Sequence, residues 1–213
     1  MNLIIDNLLP SYFEESRKES SEIWGKKIVF SPGSFVKIVA PSGSGKTSLI
    51  HFLYGMRNDY SGEIGYEGLI SGNMKREELA RLRQSTVSVV FQDLRLFPEQ
   101  TVFDNLEIKR ALNPYHESSV IKTMAAQLGI ESKLSSPIVN CSYGEQQRVA
   151  IIRALLQPYR ILLLDEPFSH LDNNNASKAM DLMVSESRKR GATILFADLE
   201  RVDFFPYTSL YHL

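Results

Sequence analysis

Short apolar runs alternate along the chain with longer stretches whose apolar residues recur every three or four positions. Phe35-Val36-Lys37-Ile38-Val39 is brief and β-branched and predicts a strand, whereas Thr47 to Met56 sets Leu49, Ile50, Leu53 and Met56 at helical spacing. Ser85 to Phe91 predicts a second strand, and Val120 to Leu128 and Glu145 to Leu156 predict helices. Arg160 to Asp165 contains Ile-Leu-Leu-Leu, the pattern of a strand covered on both faces. Ala176 to Arg190 is helical in pattern, and Thr193 to Ala197 predicts a last buried strand. The polar run Glu14 to Glu22 reads as a surface loop between strands. Strands and helices in alternation predict an α/β fold with a largely parallel sheet. The stretch from about Pro98 to Cys141 has no strand pattern and reads as a helical insertion. No internal repeat or low-complexity segment is present.

At 213 residues, with 43% apolar and 23% charged, the chain has ordinary globular usage and suits one large domain or a domain with a small appended one. A chain of this size removes about 70% of its unfolded surface on folding. Lys plus Arg number 24 against 25 Asp plus Glu, a net charge of -1. No global basic field is left to attract a phosphate backbone, so nucleic acid is not an expected partner. A single cysteine, Cys141, excludes an internal disulfide framework and fits a reducing compartment. No apolar run approaches the ~20 residues that span a bilayer. Met1 to Glu15 lacks the basic start of a secretory signal. A soluble, cytoplasmic protein is expected, unless a partner holds it at a membrane.

The sharpest chemical pattern is Ala40-Pro41-Ser42-Gly43-Ser44-Gly45-Lys46-Thr47, placed between a predicted strand and a predicted helix. That is the context a phosphate-binding P-loop requires. Backbone N–H groups around Gly43 to Lys46 would cradle phosphates at a helix N-terminus, with Ser42, Ser44 and Ser48 alongside. Lys46 would reach the terminal phosphates, and the Thr47 hydroxyl would ligate Mg²⁺. The usual first glycine is Ala40 here, at a position that need not touch phosphate. Further on, a buried strand ends in Asp165-Glu166. It would deliver Asp165 to the carboxyl edge of the sheet to hold Mg²⁺, with Glu166 placed to polarise a water.

Cys141-Ser142-Tyr143-Gly144-Glu145-Gln146 opens a helix and resembles the signature segment, Leu-Ser-Gly-Gly-Gln, of the ATP-binding cassette (ABC) ATPases. The P-loop, Gln92 at a strand end, this signature, Asp165-Glu166 and then Ser169-His170-Leu171-Asp172 follow in the family's order over nearly the whole chain. The resemblance implies a P-loop NTPase core with an antiparallel β N-terminal part and an inserted helical subdomain. It divides a single domain, 1–213, into a core of about 1–92 and 157–213 and a helical insertion of about 98–156. It also implies ATP with Mg²⁺ as cofactor, hydrolysed by Glu166, Gln92 and Lys46, with Thr47, Gln92 and Asp165 on the metal. Two cassettes would pair head to tail, a homodimer in the ATP state, with Ser142, Gly144 and Glu145 facing the ATP of the partner and Asp172 in the contact. Phe13, with Tyr12 next, would stack on adenine. The segment after Gln92, with apolar Leu94, Leu96 and Phe97, would receive a membrane-spanning subunit and hold the protein at the inner face of the cell membrane.

Arg81-Leu82-Arg83, Val89-Val90-Phe91-Gln92, Leu96-Phe97-Pro98 and Thr101 to Leu106 resemble the lipoprotein-releasing, macrolide-export and cell-division branch, which acts mechanically on envelope substrates. Against the pattern, Tyr143 replaces a glycine and either crowds the γ-phosphate or lies aside against a neighbour. The family's switch histidine is missing from Ala197-Asp198-Leu199-Glu200, where Leu199 or, in a shifted reading, Asp198 takes its place. Leu cannot donate to a γ-phosphate, and an ionised Asp repels it. Hydrolysis is therefore expected to be slow in isolation. The alternative is a degenerate cassette that binds ATP for a structural or regulatory role. A translation or DNA-repair ABC protein is disfavoured, since those carry two cassettes or long coiled coils, and no C-terminal regulatory domain is expected after the last strand. His51, His170 and His212 read as surface residues and Cys141 as a small buried hydrophobe.

Overall fold

The computed structural model describes residues 1–14, 17–199 and 203–213; Glu200, part of the switch segment, lies outside them. Its sixteen main elements run in order β1 (Leu3–Pro10), α1 (Arg17–Ser20), β2 (Lys27–Phe30), β3 (Phe35–Val39), α2 (Lys46–Leu53), β4 (Tyr60–Tyr66), β5 (Leu69–Ile70), α3 (Arg76–Ser85), β6 (Val87–Val90), α4 (Val102–Leu112), α5 (Ser119–Gln127), α6 (Tyr143–Leu155), β7 (Ile161–Asp165), α7 (Asn173–Arg190), β8 (Thr193–Asp198) and β9 (Ser209–His212). A five-stranded parallel sheet has the order β6-β7-β8-β3-β9, and a four-stranded antiparallel sheet the order β2-β1-β4-β5. This is a mixed α/β architecture, with the largely parallel sheet and the antiparallel N-terminal part that were expected.

The central strands β3, β7 and β8 are buried at every position, which is why they read as unbroken apolar runs. Thr193–Asp198 is the last buried strand, and a half-exposed strand, β9, follows it and pairs with β3 at the sheet edge. Its alternately exposed Ser-Leu-Tyr-His gives a weak pattern in the sequence. The polar run Glu14 to Glu22 is not all loop, because it contains the single turn α1. One apolar core packs the antiparallel sheet and α2 on one face of the parallel sheet, through Ile5, Trp24, Phe52, Ile64 and Leu163. The other packs α4, α5, α6 and α7 on the opposite face, through Leu106, Ile121, Ile151, Met180 and Phe196. Among the described residues no helix is long and apolar enough to cross a membrane.

The second core is fastened by a buried charge cluster on α7. Glu186 and Arg190, 4% and 3% exposed, lie 2.6 Å apart, and Lys189 and His116 approach the same carboxylate at 2.7 and 2.8 Å. Arg190 also donates to the Leu155 carbonyl, so the cluster joins α7, the end of α6 and the loop before α5. Burial opposes the charge on Glu186, but hydrogen bonds from Lys189, Arg190 and His116 outweigh it and hold the carboxyl at about 2. The stabilisation is therefore full above the free-side-chain value of 4.5 and is lost as the pH falls towards 2. Glu186→Gln is expected to lower unfolding free energy by about 1.5–3 kcal/mol at pH 7, with the deficit shrinking below pH 4, as urea denaturation at both pH values will show.

Candidate active site

The loop between β3 and α2 carries the site. Gly43 and Gly45 take φ of 78° and 98°, left-handed backbone that a side chain resists. At Gly45 there is also no room, since a Cβ there would stand 3.0 Å from the Phe13 ring and 3.1 Å from Trp24. The Trp24 indole donates to the Ser44 carbonyl at 3.2 Å and so props the loop from behind. This tryptophan had no motif around it in the sequence, and only its burial under the loop reveals the role.

Lys46, 5% exposed, folds back over the loop. Its Nζ donates to the carbonyls of Ala40 (2.9 Å) and Pro41 (3.1 Å) and lies 3.3 Å from Glu166 Oε1. Beside it the Thr47 hydroxyl donates to Gln92 Oε1 at 3.4 Å. β7 delivers Asp165 and Glu166 to the same edge of the sheet. Both carboxylate oxygens of Asp165 are buried without a hydrogen-bond partner. Burial pushes that carboxyl up to about 6; the Thr47 hydroxyl draws it down, the Glu166 charge raises it, and Lys46 draws it down again. Glu166 sits at φ 45°, an uncommon conformation for a side-chain-bearing residue, held by a hydrogen bond from its N–H to the Ala197 carbonyl.

An orphaned carboxylate next to a hydroxyl and an amide oxygen is a donor set for a hard cation such as Mg²⁺. Among the described residues no cluster of three or more His, Cys, Asp or Glu forms a ready cage. A cation held here would take its remaining ligands from water and phosphate oxygens, as Mg²⁺ commonly does.

The cleft over the loop has a volume of 270 Å³ and is lined by Tyr12, Phe13, Ser42, Gly43, Gly45, Lys46, Thr47, Ser48, Gln92 and Glu166. Most of the expected nucleotide and catalytic residues thus converge. Ser44 is the exception within the loop: its side chain turns inward and donates to the Pro41 carbonyl. Tyr12 is the more exposed of the two aromatics at 52%, and its hydroxyl bonds Ser48, whereas Phe13 packs edge-on to Trp24 beside Gly45.

Ser142, Gly144 and Glu145 do not line that cleft. The Ser142 hydroxyl accepts from the Glu145 N–H (3.3 Å) and the Glu145 carboxylate accepts from the Ser142 N–H (2.7 Å), a capping box at the start of α6. The side chains of both residues are therefore committed within the helix end. Gly144 permits a close approach, since a Cβ would meet the His170 carbonyl at 3.0 Å. Tyr143 lies aside: its ring centroid is 4.1 Å from that of His170, and its hydroxyl is 3.5 Å from the Gln92 carbonyl. His170 is exposed, as expected, and it also bonds the Ser169 hydroxyl at 2.9 Å. Asp172 accepts from the Asn175 N–H and caps α7. His51 packs on Phe91, His212 meets Glu22 at the sheet edge, and Cys141 is buried with its thiol pushed up by that burial. At the end of β8, Asp198 pairs with Val39 and its carbonyl accepts the Ala40 N–H, while half-buried Leu199 lines a cleft with Glu166 and Ser169.

After Gln92 the chain turns through two non-glycine residues at positive φ, Leu94 (58°) and Arg95 (50°). Arg153 from α6 holds that turn by donating to both carbonyls, at 2.6 and 2.7 Å. Of the apolar trio expected at the surface, Leu94 is 3% exposed and belongs to the core; Leu96 packs partly against it, and Phe97 is 51% exposed. The left-handed turn swings Leu94 inward, a geometry that spacing alone does not give.

Residues 26–169 match the sequence model of the family described as ABC transporter. The uncharacterized ABC transporter ATP-binding protein YbbA of Escherichia coli K12 is 33% identical over 199 residues, 91% of this chain and 86% of that protein. The lipoprotein-releasing system ATP-binding protein LolD of Syntrophotalea carbinolica is 35% identical over 181 residues, 80% of each chain. The fold is similar to a dimeric post-hydrolysis state of the ATP-binding cassette MJ0796 bound to ADP and Pi, with a TM-score of 0.79 at 24% identity over 92% of this chain and 87% of that one.

Proposed function

The chain belongs to the ABC transporter family, as one of its ATP-binding, ATP-hydrolysing cassettes, and on that premise we propose that it drives an envelope machine by coupling ATP-dependent dimer closure to a membrane-spanning partner. The observation that carries this reading is the meeting of Lys46, Thr47, Gln92 and Glu166 in one cleft, with Asp165 beside Thr47 and Gln92 in the adjoining one. Phosphates entering the loop take Lys46 away from the Ala40 and Pro41 carbonyls and from Glu166. The released Glu166 carboxylate then accepts a proton from the attacking water. Thr47, Gln92 and Asp165 would hold Mg²⁺, which would supply positive charge to offset that of the phosphates. Phe13 and Tyr12 border the end of the cleft where a base would lie.

Two copies would close head to tail, each α6 N-terminus aiming its free N–H groups at the ATP of the other. The capping box at Ser142 and Glu145 supports a rigid presentation of that helix end rather than side-chain contacts from it. We take 98–156 as the inserted helical part of a single cassette, working at the cytoplasmic face of the membrane. A slow-hydrolysing cassette is the second reading, favoured by one observation: of the two residues that take the switch histidine's place in the cleft beside Glu166, Leu199 is aliphatic and Asp198 is acidic.

Partner docking is assigned to the surface around Phe97. Phe97→Asp is expected to weaken retention of the membrane-spanning subunit, copurified from detergent-solubilised membranes, by about 10–30-fold, the scale of an interface aromatic. ATP affinity of the isolated chain should hold. Loss of ATP binding and folding together would show that Phe97 only anchors the helical part.

A further inference from the structure

One buried side chain on α6 reaches the backbone of the proposed base. Gln147 lies one turn into the helix and is 1% exposed. A primary amide buried this far has two N–H groups and an oxygen to satisfy. Its Oε1 accepts from the His170 N–H at 3.1 Å, and that backbone donor fixes which end of the amide is oxygen. Its Nε2 donates to the Glu166 carbonyl at 3.4 Å and to the Ser169 hydroxyl at 3.3 Å. The whole amide is therefore spent on the loop between β7 and α7. Ser169 is in turn tied to His170 Nδ1 at 2.9 Å, so the acceptor it offers Gln147 is itself held.

Glu166 is a residue that needs such support. A side-chain-bearing residue at φ 45° persists only where its surroundings fix it. On one side its N–H donates to the Ala197 carbonyl of β8 at 3.0 Å. On the other its carbonyl accepts from Gln147, and from the Ser169 N–H at 3.4 Å. The planar peptides before and after Glu166 are thus pinned by different elements, β8 and α6, and the direction of its side chain follows from both. The side chain has one further tether, Lys46 at 3.3 Å. That contact is given up when phosphates draw Lys46 away, and the aim of the carboxylate then depends on its backbone. A reacting group misplaced by about 1 Å can lose about 10²-fold in rate.

We propose that Gln147 is a positioning residue for hydrolysis: its amide fixes the Glu166 backbone so that the carboxylate stays aimed at the attacking water once Lys46 has turned to the phosphates. This rests on Glu166 being the base. Packing alone is the lesser fit, because an apolar side chain would fill the same space without the desolvation of an amide, and because all three hydrogen bonds of Gln147 go to one loop. The base is thereby registered to α6, the helix whose first turn would face the ATP of the other copy.

The test is a double-substitution cycle on the full chain. Hydrolysis of radiolabelled ATP, scaled to the nucleotide bound, is followed for the unmodified chain, Gln147→Met, Glu166→Gln and the two combined. Gln147→Met should slow hydrolysis about 10-fold with ATP affinity kept within about two-fold, and should slow nothing further once Glu166 is Gln. Ser169 is exposed, so Ser169→Ala leaves the core untouched and keeps the test open if Gln147→Met fails to fold. It removes one acceptor of the amide and should slow hydrolysis about 3-fold, the scale of one neutral hydrogen bond, again only while Glu166 is present. Equal slowing in both backgrounds overturns the proposal, since a general structural effect does not depend on the base. So does a Gln147→Met chain that hydrolyses ATP as fast as the unmodified one. Loss of ATP-driven doubling of the molar mass in Gln147→Met, with the rate falling in step, would assign the amide to the contact between copies and overturn it too. A Glu166→Gln chain that keeps the unmodified rate would overturn the base itself, and the proposal with it, whatever Gln147→Met does.

Discussion

Glu166→Gln lowers steady-state ATP turnover by about 10²–10³-fold while ATP binding is kept or strengthened. The carboxylate stands at the mouth of the phosphate cleft, 3.3 Å from Lys46, on a residue held at φ 45° by β7 and β8. Gln keeps the shape but cannot accept a proton from water. It also stops competing with the phosphates for the Lys46 ammonium, so affinity does not fall. Steady-state hydrolysis and a nucleotide titration on the same preparations separate the two effects. Turnover within a few-fold of the unmodified chain would place the base elsewhere.

Leu199→His raises turnover by about 10²-fold, the worth of one well-placed donor to developing charge. Leu199 is half-buried in a cleft with Glu166, so an imidazole there would bring a ring N–H to that cleft. The neighbouring Asp198 lines the same cleft, so Asp198→His is the corresponding variant under the shifted reading. Tyr143→Gly adds little to this gain, since the tyrosine already lies against His170. The unmodified chain should turn over below about 1 s⁻¹, the slow end of common enzyme rates. A rate of about 1–10 s⁻¹ without the substitution, or no gain with it, would show that another residue supplies the missing donor.

Much of this site could be read from the sequence because its parts are contiguous or end a fully buried strand. Gly43 to Thr47 and Asp165-Glu166 are short runs whose chemistry is fixed by neighbouring backbone, and the structure places them together. The edge strands were harder to read: β5 has two residues and β9 alternates exposed and half-buried positions, so neither leaves a strong period. The capping box at Ser142 and Glu145 forms from a three-residue spacing within the signature segment itself. Lys109 and Arg153 look like ordinary solvated charges on helices until α4, α6 and the turn after Gln92 are brought together. The same turn decides Leu94, whose positive φ sends an apolar side chain into the core rather than to a partner. What escaped the sequence is therefore mostly long-range: which charges share a groove, and which side chains a turn redirects.

ATP-driven pairing of the chain with a second copy of itself is tested most directly by light scattering on the Glu166→Gln protein, in which bound ATP persists. With Mg²⁺ and ATP the molar mass should rise to twice the 24.2 kDa of one chain, and with ADP it should return to that of a single chain. A mass that stays at one chain with ATP demonstrably bound would contradict closure of a homodimer around the nucleotide.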